Sequence, residues 1–401
     1  MKVLSLFDGM ACGMIAMQLA GVDVESYDAY EIDKYAIKTA QHNFPMIKEH
    51  GDVFEADFTQ YEGVDFLIGG SPCTYWSIAQ TKNRETVASG MGWELFSQYV
   101  RALHEAKPKY FIYENNKSMS KAIRASIDET FGFEAVLINS ALVSAQNRQR
   151  LYWVGKRNDD GTYSKVDVEQ PDDRGILLKD VLDNAVAMRE KAHTIDANYY
   201  KGGNFTSLNK QSGKRMMAAE PVCVAERGRM YCGQPQHYEA RTDGKTNTLT
   251  SVEKDNRVAE PIRIGTYPTP DSRLPNSQGN RIYSADGKAI TQSARGGGLG
   301  ATTGLYAMPT DEINGKEHHV YEVRNGLITI KGKQYPIKLE DGYYIIRKLT
   351  VRECMRLQTV PEWYEFPVSD SQAYKMLGNG WTVDVIAHIL KGLDEMEAKE
   401  E

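Results

Sequence analysis

The first 140 residues alternate between short apolar runs and amphipathic segments. The apolar runs predict strands near residues 2–7, 24–31, 64–69, 109–114 and 134–140. Between them, the periodicity predicts helices near residues 13–20, 34–43, 93–107 and 119–130. Strands that alternate with helices indicate a mostly parallel sheet covered on both faces. We therefore predict an α/β fold for this part of the chain.

The pattern changes after about residue 157, where Gly, Asn, Thr, Ser and Tyr become frequent and helical periodicity fades. Segments 192–203, 246–256 and 289–300 form a weak repeat, which we interpret as equivalent hairpins of a β-rich insert. A strand near 343–349 and helices at 350–358 and 382–399 restore the regular pattern. We expect the chain to leave an α/β domain, build an insert and return.

Composition narrows the class of protein. The chain has 401 residues, of which 41% are hydrophobic and 25% charged, as in ordinary globular proteins. No signal peptide is recognisable and no apolar run reaches the length of a membrane helix, so we expect a cytoplasmic protein without a membrane partner. The five cysteines are scattered, with no Cys-x-x-Cys pair or His cluster, which argues against a zinc site and a disulfide framework.

Charge is distributed unevenly. The net charge of −6 argues at first against a nucleic-acid partner. Residues 201–300, however, carry 15 Lys and Arg against 9 Asp and Glu. This local basic excess suits a DNA-facing module on an acidic scaffold.

Two groups of residues suggest chemistry at the strand ends. The turn LFDGMACG (6–13) follows the first strand, and Glu31 and Asp52 end the next two. In a parallel sheet these positions line one crevice, where they describe a site for an adenosine-type cofactor. Cys73 lies on the turn GGSPCTYWS (69–77), and Glu114 ends a later strand. Arg148 and Arg150 in QNRQR (146–150) would share one face of a strand.

In this order and spacing, the segments resemble the motifs of the DNA cytosine-5 methyltransferase family. SLFDGMACG resembles its cofactor loop, GGSPC its catalytic turn, YENN its ENV motif and QNRQR its QxRxR motif. Residues 347–366 and 373–386 resemble its two C-terminal motifs, so that the match covers about half of the chain. The variants SLFDG, GGSPC and GNGWTV are most similar to those of phage-type and de novo methyltransferases.

Four residues depart from the common family pattern. Ser71 replaces a second Pro, and Asn116 replaces the Val of ENV. We expect both replacements to be tolerated near the flipped cytosine on which such an enzyme acts. Gly380 and Trp381 replace Ser-Val, and we expect this change to affect how the cofactor fits.

The resemblance implies a Rossmann-like fold that uses S-adenosylmethionine, with an inserted β- and loop-rich target-recognition domain. It places the catalytic domain at residues 1–155, the target-recognition domain at 156–345 and the C-terminal part of the catalytic domain at 346–401. The cofactor-binding residues that it implies are Phe7, Asp8, Gly9, Met10, Glu31, Ile32, Asp52, Val53, Pro72, Leu95, Asn379, Gly380 and Trp381.

The resemblance also implies a mechanism. Cys73 would attack C6 of a flipped cytosine, and Glu114, contacting N3 and the exocyclic amine, would donate a proton to the adduct. Arg148 would orient the base through O2, and Arg150 would support the loop.

The implied partner is double-stranded DNA, bound by a monomer without a metal. Lys82 and Arg84, in a polar loop at residues 74–92 with possible glycine hinges, would contact phosphates. In the insert, the candidate DNA contacts are Arg227, Arg229, Arg241 and Arg281.

Three other functions stay open. A relative that methylates cytosine in tRNA would use the same site, although the insert of about 190 residues favours readout of duplex DNA. A DNA-binding protein without catalysis is the second alternative, and the intact set of Cys73, Glu114, Arg148 and Asn379 argues against it. A small-molecule methyltransferase would need the cofactor loop but neither that set nor the basic insert.

Overall fold

The computed structural model describes residues 1–77, 84–183, 185, 191–197, 199, 320–330, 333–337 and 339–400, and the backbone of six strands between residues 217 and 283.

Most strands of the first 165 residues form one central sheet, in the order β3-β2-β1-β4-β5-β8-β6, with β9 paired to β8. The strands are β1 (Lys2–Leu6), β2 (Ser26–Tyr30), β3 (Lys48–Glu49), β4 (Phe66–Gly69), β5 (Tyr110–Asn116), β6 (Val136–Asn139), β7 (Gln146–Asn147, outside this sheet), β8 (Gln149–Arg157) and β9 (Tyr163–Lys165). The five adjacent strands β3, β2, β1, β4 and β5 run parallel to one another. Strand β8 is antiparallel to its neighbours β5 and β6. The predicted mostly parallel α/β sheet is confirmed.

The order of the strands reverses direction at β1. Strand β2 lies on one side of β1, and β4, the next long strand, lies on the other side. In open α/β sheets the ligand crevice lies at such a reversal, outside the carboxyl ends of the strands. The cofactor loop follows β1 and the Cys73 turn follows β4, so both segments border this crevice.

Helices cover both faces of the sheet. They are α1 (Cys12–Ala20), α2 (Lys34–Asn43), α3 (Met91–Ala106), α4 (Lys121–Phe131), α5 (Val351–Leu357), α6 (Asp370–Asn379) and α7 (Val383–Glu400). Because strand residues alternate between faces, one core packs against α1 and α7, and the other against α3 and α4. The first includes Val3, Ile68 and Ile112, and the second includes Leu4, Leu67 and Phe111.

Side-chain caps explain where several helices begin. Asp33 accepts a hydrogen bond from the Tyr35 N–H at the start of α2, and Ser120 accepts one from Ile123 N–H before α4. Thr350 and Glu353 form a reciprocal capping box at α5. Each cap satisfies N–H groups that the first helical turn leaves without partners.

The later strands form smaller sheets. A five-stranded antiparallel sheet has the order β11-β20-β17-β18-β19, and the others have two or three strands. The remaining strands are β10 (Ala192–His193), β11 (Met217–Pro221), β12 (Cys223–Arg227), β13 (His237–Arg241), β14 (Asn256–Val258), β15 (Arg263–Thr266), β16 (Arg281–Tyr283), β17 (Val320–Arg324), β18 (Leu327–Ile330), β19 (Lys333–Pro336) and β20 (Gly342–Lys348). The insert is therefore rich in strands, as predicted.

The proposed repeat of three hairpins lies mostly outside the described residues. In its first segment, where residues 192–197 and 199 are described, β10 pairs in parallel with β7. Only the last residue of the second segment, Asn256, lies in a described strand, and the third segment lies outside the described residues.

Among the described helices, none is long and apolar enough to cross a membrane.

Candidate active site

The loop between β1 and α1 folds back towards β2. Phe7, Gly9 and Ala11 all adopt positive φ angles, of 58°, 63° and 59°. The N–H groups of Phe7 and Asp8 both donate to the carbonyl oxygen of Tyr30, the last residue of β2. This geometry brings the backbone of the glycine loop to the carboxyl end of the neighbouring strand.

Glu31 joins the loop to the second strand. Its Oε2 accepts a hydrogen bond from Gly9 N–H at 2.9 Å, and its Oε1 accepts from the N–H groups of Ile32 and Asp33, both at 2.8 Å. The carboxylate is thereby fixed at the carboxyl end of β2. Asp52 lies three residues beyond β3 instead of ending it, and it caps the 3-10 turn Val53–Glu55.

Two further carboxyl groups, one in this loop and one at the end of β3, have oxygens that are shielded from solvent. Asp8 is buried, and its Oδ1 accepts from the hydroxyls of Ser5 and Tyr27, both at 2.6 Å. Asp8 Oδ2 and both carboxylate oxygens of Glu49 are shielded from solvent and have no hydrogen-bond partner among the described residues. Burial raises the pKa of Asp8 to about 6 and that of Glu49 to about 8, with the nearby acidic charges adding to the effect.

The turn after β4 presents Cys73. The residue is partly exposed, its thiol is free, and its carbonyl accepts from the N–H groups of Trp76 and Ser77. Ser71, one of the departures from the family pattern, is buried in a hydrogen-bond network with Tyr113 and Asn115. Ser71 therefore ties the Cys73 turn to β5, which a Pro at this position could not do through its side chain.

Glu114 lies on β5, beside the strand that leads to Cys73, and is almost fully buried. Its Oε1 lies 3.0 Å from Nε of Arg150, and its Oε2 accepts from Nε1 of Trp381 at 2.9 Å. A Cβ added at Gly70 would lie 2.8 Å from the Glu114 carbonyl oxygen and 3.0 Å from Oε2. The glycine before Ser71 is thus needed for the close approach of β4 and the acid.

The two arginines differ from what the sequence predicted. Arg148 lies in the break between β7 and β8, so the two do not share one strand face. The guanidinium of Arg148 is buried and donates to the carbonyl oxygens of Ile195, Gly378 and Gly380. Arg150, on β8, contacts Glu114 instead. Burial, followed by the charge of Arg150, lowers the pKa of Arg148.

The turn between α6 and α7 completes the site. Gly380 packs against the cofactor loop, because a Cβ there would lie 3.0 Å from Sγ of Cys12. Gly378 packs against the backbone of residues 196 and 197, leaving no room for a side chain. Trp381 reaches from this turn to Glu114, which joins the C-terminal segment to the centre of the sheet.

The geometry agrees with a comparison of the whole sequence. The profile of the family described as C-5 cytosine-specific DNA methylase matches residues 1–395. The chain belongs to the C-5 cytosine-specific DNA methylase family. The resemblance that the motifs predicted over half of the chain is confirmed over nearly all of it.

Two curated relatives match over almost their full length. The orphan methyltransferase M.SPRI of Bacillus phage SPR is 26% identical, over 98% of this chain and 97% of its own. The type II methyltransferase M.HhaI of Haemophilus parahaemolyticus is 25% identical, over 97% of this chain and 93% of its own. Among solved structures, that of the Entamoeba histolytica methyltransferase EhMeth covers 98% of both chains at 13% identity, with a TM-score of 0.49.

The other candidate residues occupy varied positions. Val53 and Met10 are buried, Pro72, Ile32 and Asn379 are exposed, and Leu95 lies partly buried in the first turns of α3. The described residues contain no group of three or more His, Cys, Asp or Glu that could hold a metal ion.

Of the candidate DNA contacts, Arg84 alone has a described side chain. Its guanidinium donates to the carbonyl oxygens of Trp76 and Ser118, and these two bonds set its orientation. Arg227, Arg241 and Arg281 lie on β12, β13 and β16, whereas Lys82 and Arg229 lie outside the described residues.

Sequence reasoning missed several residues of the site. Glu85 accepts from Nε1 of Trp76 and from Gly92 N–H, and so fastens the segment after Cys73 to the start of α3. Gln358 donates to the carbonyl oxygens of Leu377 and Gly380. Glu85 and Gln358 lie within or beside the recognised motifs, and this position could have indicated them. Their residue types alone do not indicate that they join separate segments of the site.

Proposed function

We propose that this protein methylates C5 of a cytosine within a specific short sequence of double-stranded DNA, using S-adenosylmethionine and Cys73 as nucleophile. The observation that carries the proposal is the position of Glu114. Its carboxylate is held by Arg150 and Trp381 on the strand next to the one that leads to Cys73. A buried acid beside a partly exposed thiol is the pair that activation of a cytosine ring needs.

The residues after β1 and β2 fit an adenosine cofactor. A Cβ added at Gly9 would meet no atom within 4 Å, so the loop backbone borders open space. Glu31 would bind the ribose hydroxyls and Asp52 the adenine amino group, with Phe7, Leu95 and other motif residues around them. When bound, S-adenosylmethionine supplies the electrophilic methyl group.

The chain's own residues supply the activation of the base. The target cytosine must leave the duplex stack before Cys73 can reach C6. Bonding of the Cys73 sulfur to C6 makes C5 nucleophilic, and Glu114 donates a proton at N3 to stabilise the ring. After C5 has accepted the methyl group, Glu114 takes back the N3 proton and the C5 proton passes to water. The electron pair of the C5–H bond re-forms the C5–C6 double bond as the C6–S bond breaks and releases the Cys73 thiolate.

The contacts support a division of labour between the arginines that reverses the sequence-based expectation. Arg150 is bonded to the acid and is therefore the better candidate to contact O2 of the base. Arg148 would instead hold together the main chain around the cytosine pocket, since its donors already serve three carbonyl groups.

We propose the domain boundaries of the sequence analysis as well. Residues 1–155 and 346–401 would form the catalytic domain, and residues 156–345 would recognise the target. The strands between residues 217 and 348 pair in sheets separate from the central one, which supports an inserted domain. At its start, however, β9 pairs with β8 within the central sheet and β10 pairs with β7, so these two strands stay attached to the catalytic domain.

The proposal is tested by mapping methylation. Purified protein would be incubated with labelled S-adenosylmethionine and either mixed-sequence duplex DNA or bulk tRNA, and 5-methylcytosine would be located by bisulfite sequencing. We expect label in DNA at one short sequence, and at least a thousandfold loss in Cys73→Ala. Cys354→Ala, a matched change at a buried thiol on α5, should keep the activity per folded molecule.

Other outcomes would favour the alternatives. Label in tRNA alone would assign the protein to RNA methylation. No label in either nucleic acid, together with DNA binding, would indicate a binding protein without catalysis.

A further inference from the structure

Trp381 is in direct contact with the catalytic acid. We propose that Trp381 is a positioning residue that orients the Glu114 carboxylate and links it to the cofactor loop. This inference rests on the proposed function, because it assigns Trp381 a part in the same reaction. It differs from the sequence-based expectation, which placed Trp381 only among the cofactor contacts.

The Glu114 carboxylate is held from three directions. Trp381 Nε1 donates to Oε2 at 2.9 Å, while Arg150 Nε lies 3.0 Å from Oε1. The backbone of Gly70 packs against the same group, since a Cβ there would lie 3.0 Å from Oε2 and 3.4 Å from the indole nitrogen. One donor on each oxygen fixes the plane of the carboxylate, which a single contact would leave free to rotate.

Trp381 is itself fixed by the turn from which it extends. The carbonyl of Gly380 accepts from Arg148 at 2.8 Å, and the hydroxyl of Thr382 is bonded to Ser140 and Gln358. On the side of the cofactor loop, Gly380 packs against Cys12, the first residue of α1. The indole therefore connects a rigid turn beside the cofactor loop to the acid of the cytosine pocket.

The chemistry of the indole suits this role. An indole N–H is only a donor, so it can hold the acid in place without accepting a proton from it. Each carboxylate oxygen has two acceptor positions, which leaves Oε2 able to face the cytosine while it remains bonded to Trp381. A misoriented carboxylate would slow proton donation but would leave the binding of DNA and cofactor intact.

The test is Trp381→Phe, which keeps an aromatic ring and removes the donor. With duplex carrying the mapped target, we expect the single-turnover methylation rate to fall by about tenfold or more. The dissociation constants of S-adenosylmethionine and of the duplex should stay within about twofold of the wild type. Trp363→Phe, the same change at an exposed tryptophan before α6, should leave the rate unchanged.

A second measurement examines the contact without catalysis. In an NMR spectrum of the indole N–H groups, Glu114→Gln should shift the Trp381 resonance and leave that of Trp363 in place. The Trp381 resonance would be assigned by replacing the other four tryptophans one at a time, so the measurement holds even if Trp381→Phe fails to fold.

Three results would overturn the proposal. They are an unchanged methylation rate in Trp381→Phe, a rate loss that saturating cofactor restores, and a Trp381 resonance indifferent to Glu114→Gln. If the wild type methylates no nucleic acid, the proposed function fails instead, and the NMR measurement still decides whether Trp381 holds Glu114.

Discussion

The two sides of the crevice hold their buried carboxyl groups in opposite ways. On the base side, Glu114 has a donor on each oxygen. Arg148 beside it donates to three carbonyl groups through its terminal nitrogens, while its Nε has no hydrogen-bond partner among the described residues. On the cofactor side, Asp8 and Glu49 bury oxygens that have no hydrogen-bond partner among the described residues. Glu114, Asp8 and Glu49 lie at the carboxyl ends of different parallel strands of the same sheet.

The difference shows on which side of the crevice the fold fixes the orientation of its side chains. A group that acts on the transition state benefits from being oriented before the substrate arrives. The base side meets this requirement through contacts that the protein makes by itself. The cofactor side leaves acceptors buried, which favours the protonated forms of its carboxyl groups. The site therefore combines a rigid half with a half whose charge depends on pH.

In this comparison we expect the largest effects from substitutions of the two arginines. One substitution should mainly lower the methylation rate and the other the stability. Arg150→Gln removes the cation beside Glu114, and we expect the single-turnover methylation rate to fall by about a hundredfold. Arg148→Gln leaves buried carbonyls without donors and should lower the free energy of unfolding by about 3 kcal/mol. Denaturant unfolding and rates corrected for the folded fraction would be measured for both variants.

The opposite result for the two arginines would contradict the roles proposed for them. If folded Arg148→Gln lost methylation while keeping the wild-type stability, Arg148 would be the residue at the base, as the sequence alone suggested. Lys109→Gln, far along the sheet from the strand ends, serves as a control for the loss of a cation.

A smaller effect should follow from crowding the base side. In Gly70→Ala the new methyl group would lie 2.8 Å from the carbonyl oxygen of Glu114, so β4 or β5 must shift. We expect the methylation rate to fall by about tenfold, because a displacement of a few tenths of an ångström disturbs the acid. Gly392→Ala on α7, where a Cβ meets nothing within 4 Å, should be neutral or slightly stabilising. Equal rates for both variants would show that the acid tolerates displacement.

The sequence predicted the central sheet well, for a physical reason. Buried parallel strands are short apolar runs, and the runs at β1, β4 and β5 stand out between amphipathic helices. Helix α6 was not predicted as an element, since its sequence DSQAYKMLGN was read only as part of a motif. Its burial depends on contacts with distant segments, such as the packing of Tyr374 on Tyr199.

The site was predicted less completely, because its decisive contacts join residues far apart in the chain. Motif order located Cys73, Glu114 and the arginines, but it could not show that β7 ends before Arg148. The partner of Glu114, Trp381, is 267 residues away in sequence. The sequence around Glu49 did not indicate a role for this residue. Its raised pKa comes from burial and from the nearby charges of Asp8 and Glu31, which only the folded structure shows.

The smallest predicted effect concerns the cofactor side and pH. The folded protein raises the pKa of Glu49 to about 8 from an ordinary value of 4.5, so it holds a proton that the unfolded chain releases. The stability that this proton contributes is complete below about pH 4.5 and is lost as pH rises to about 8. Glu49→Gln cannot ionise, so its melting temperature relative to wild type should rise across this interval, by about 2 °C at pH 8.5. Glu129→Gln, at an exposed position on α4, should show a difference that does not vary with pH. A flat difference for Glu49→Gln as well would mean that Glu49 is ionised in the folded protein, and the contrast between the two sides of the crevice would then rest on Asp8 alone.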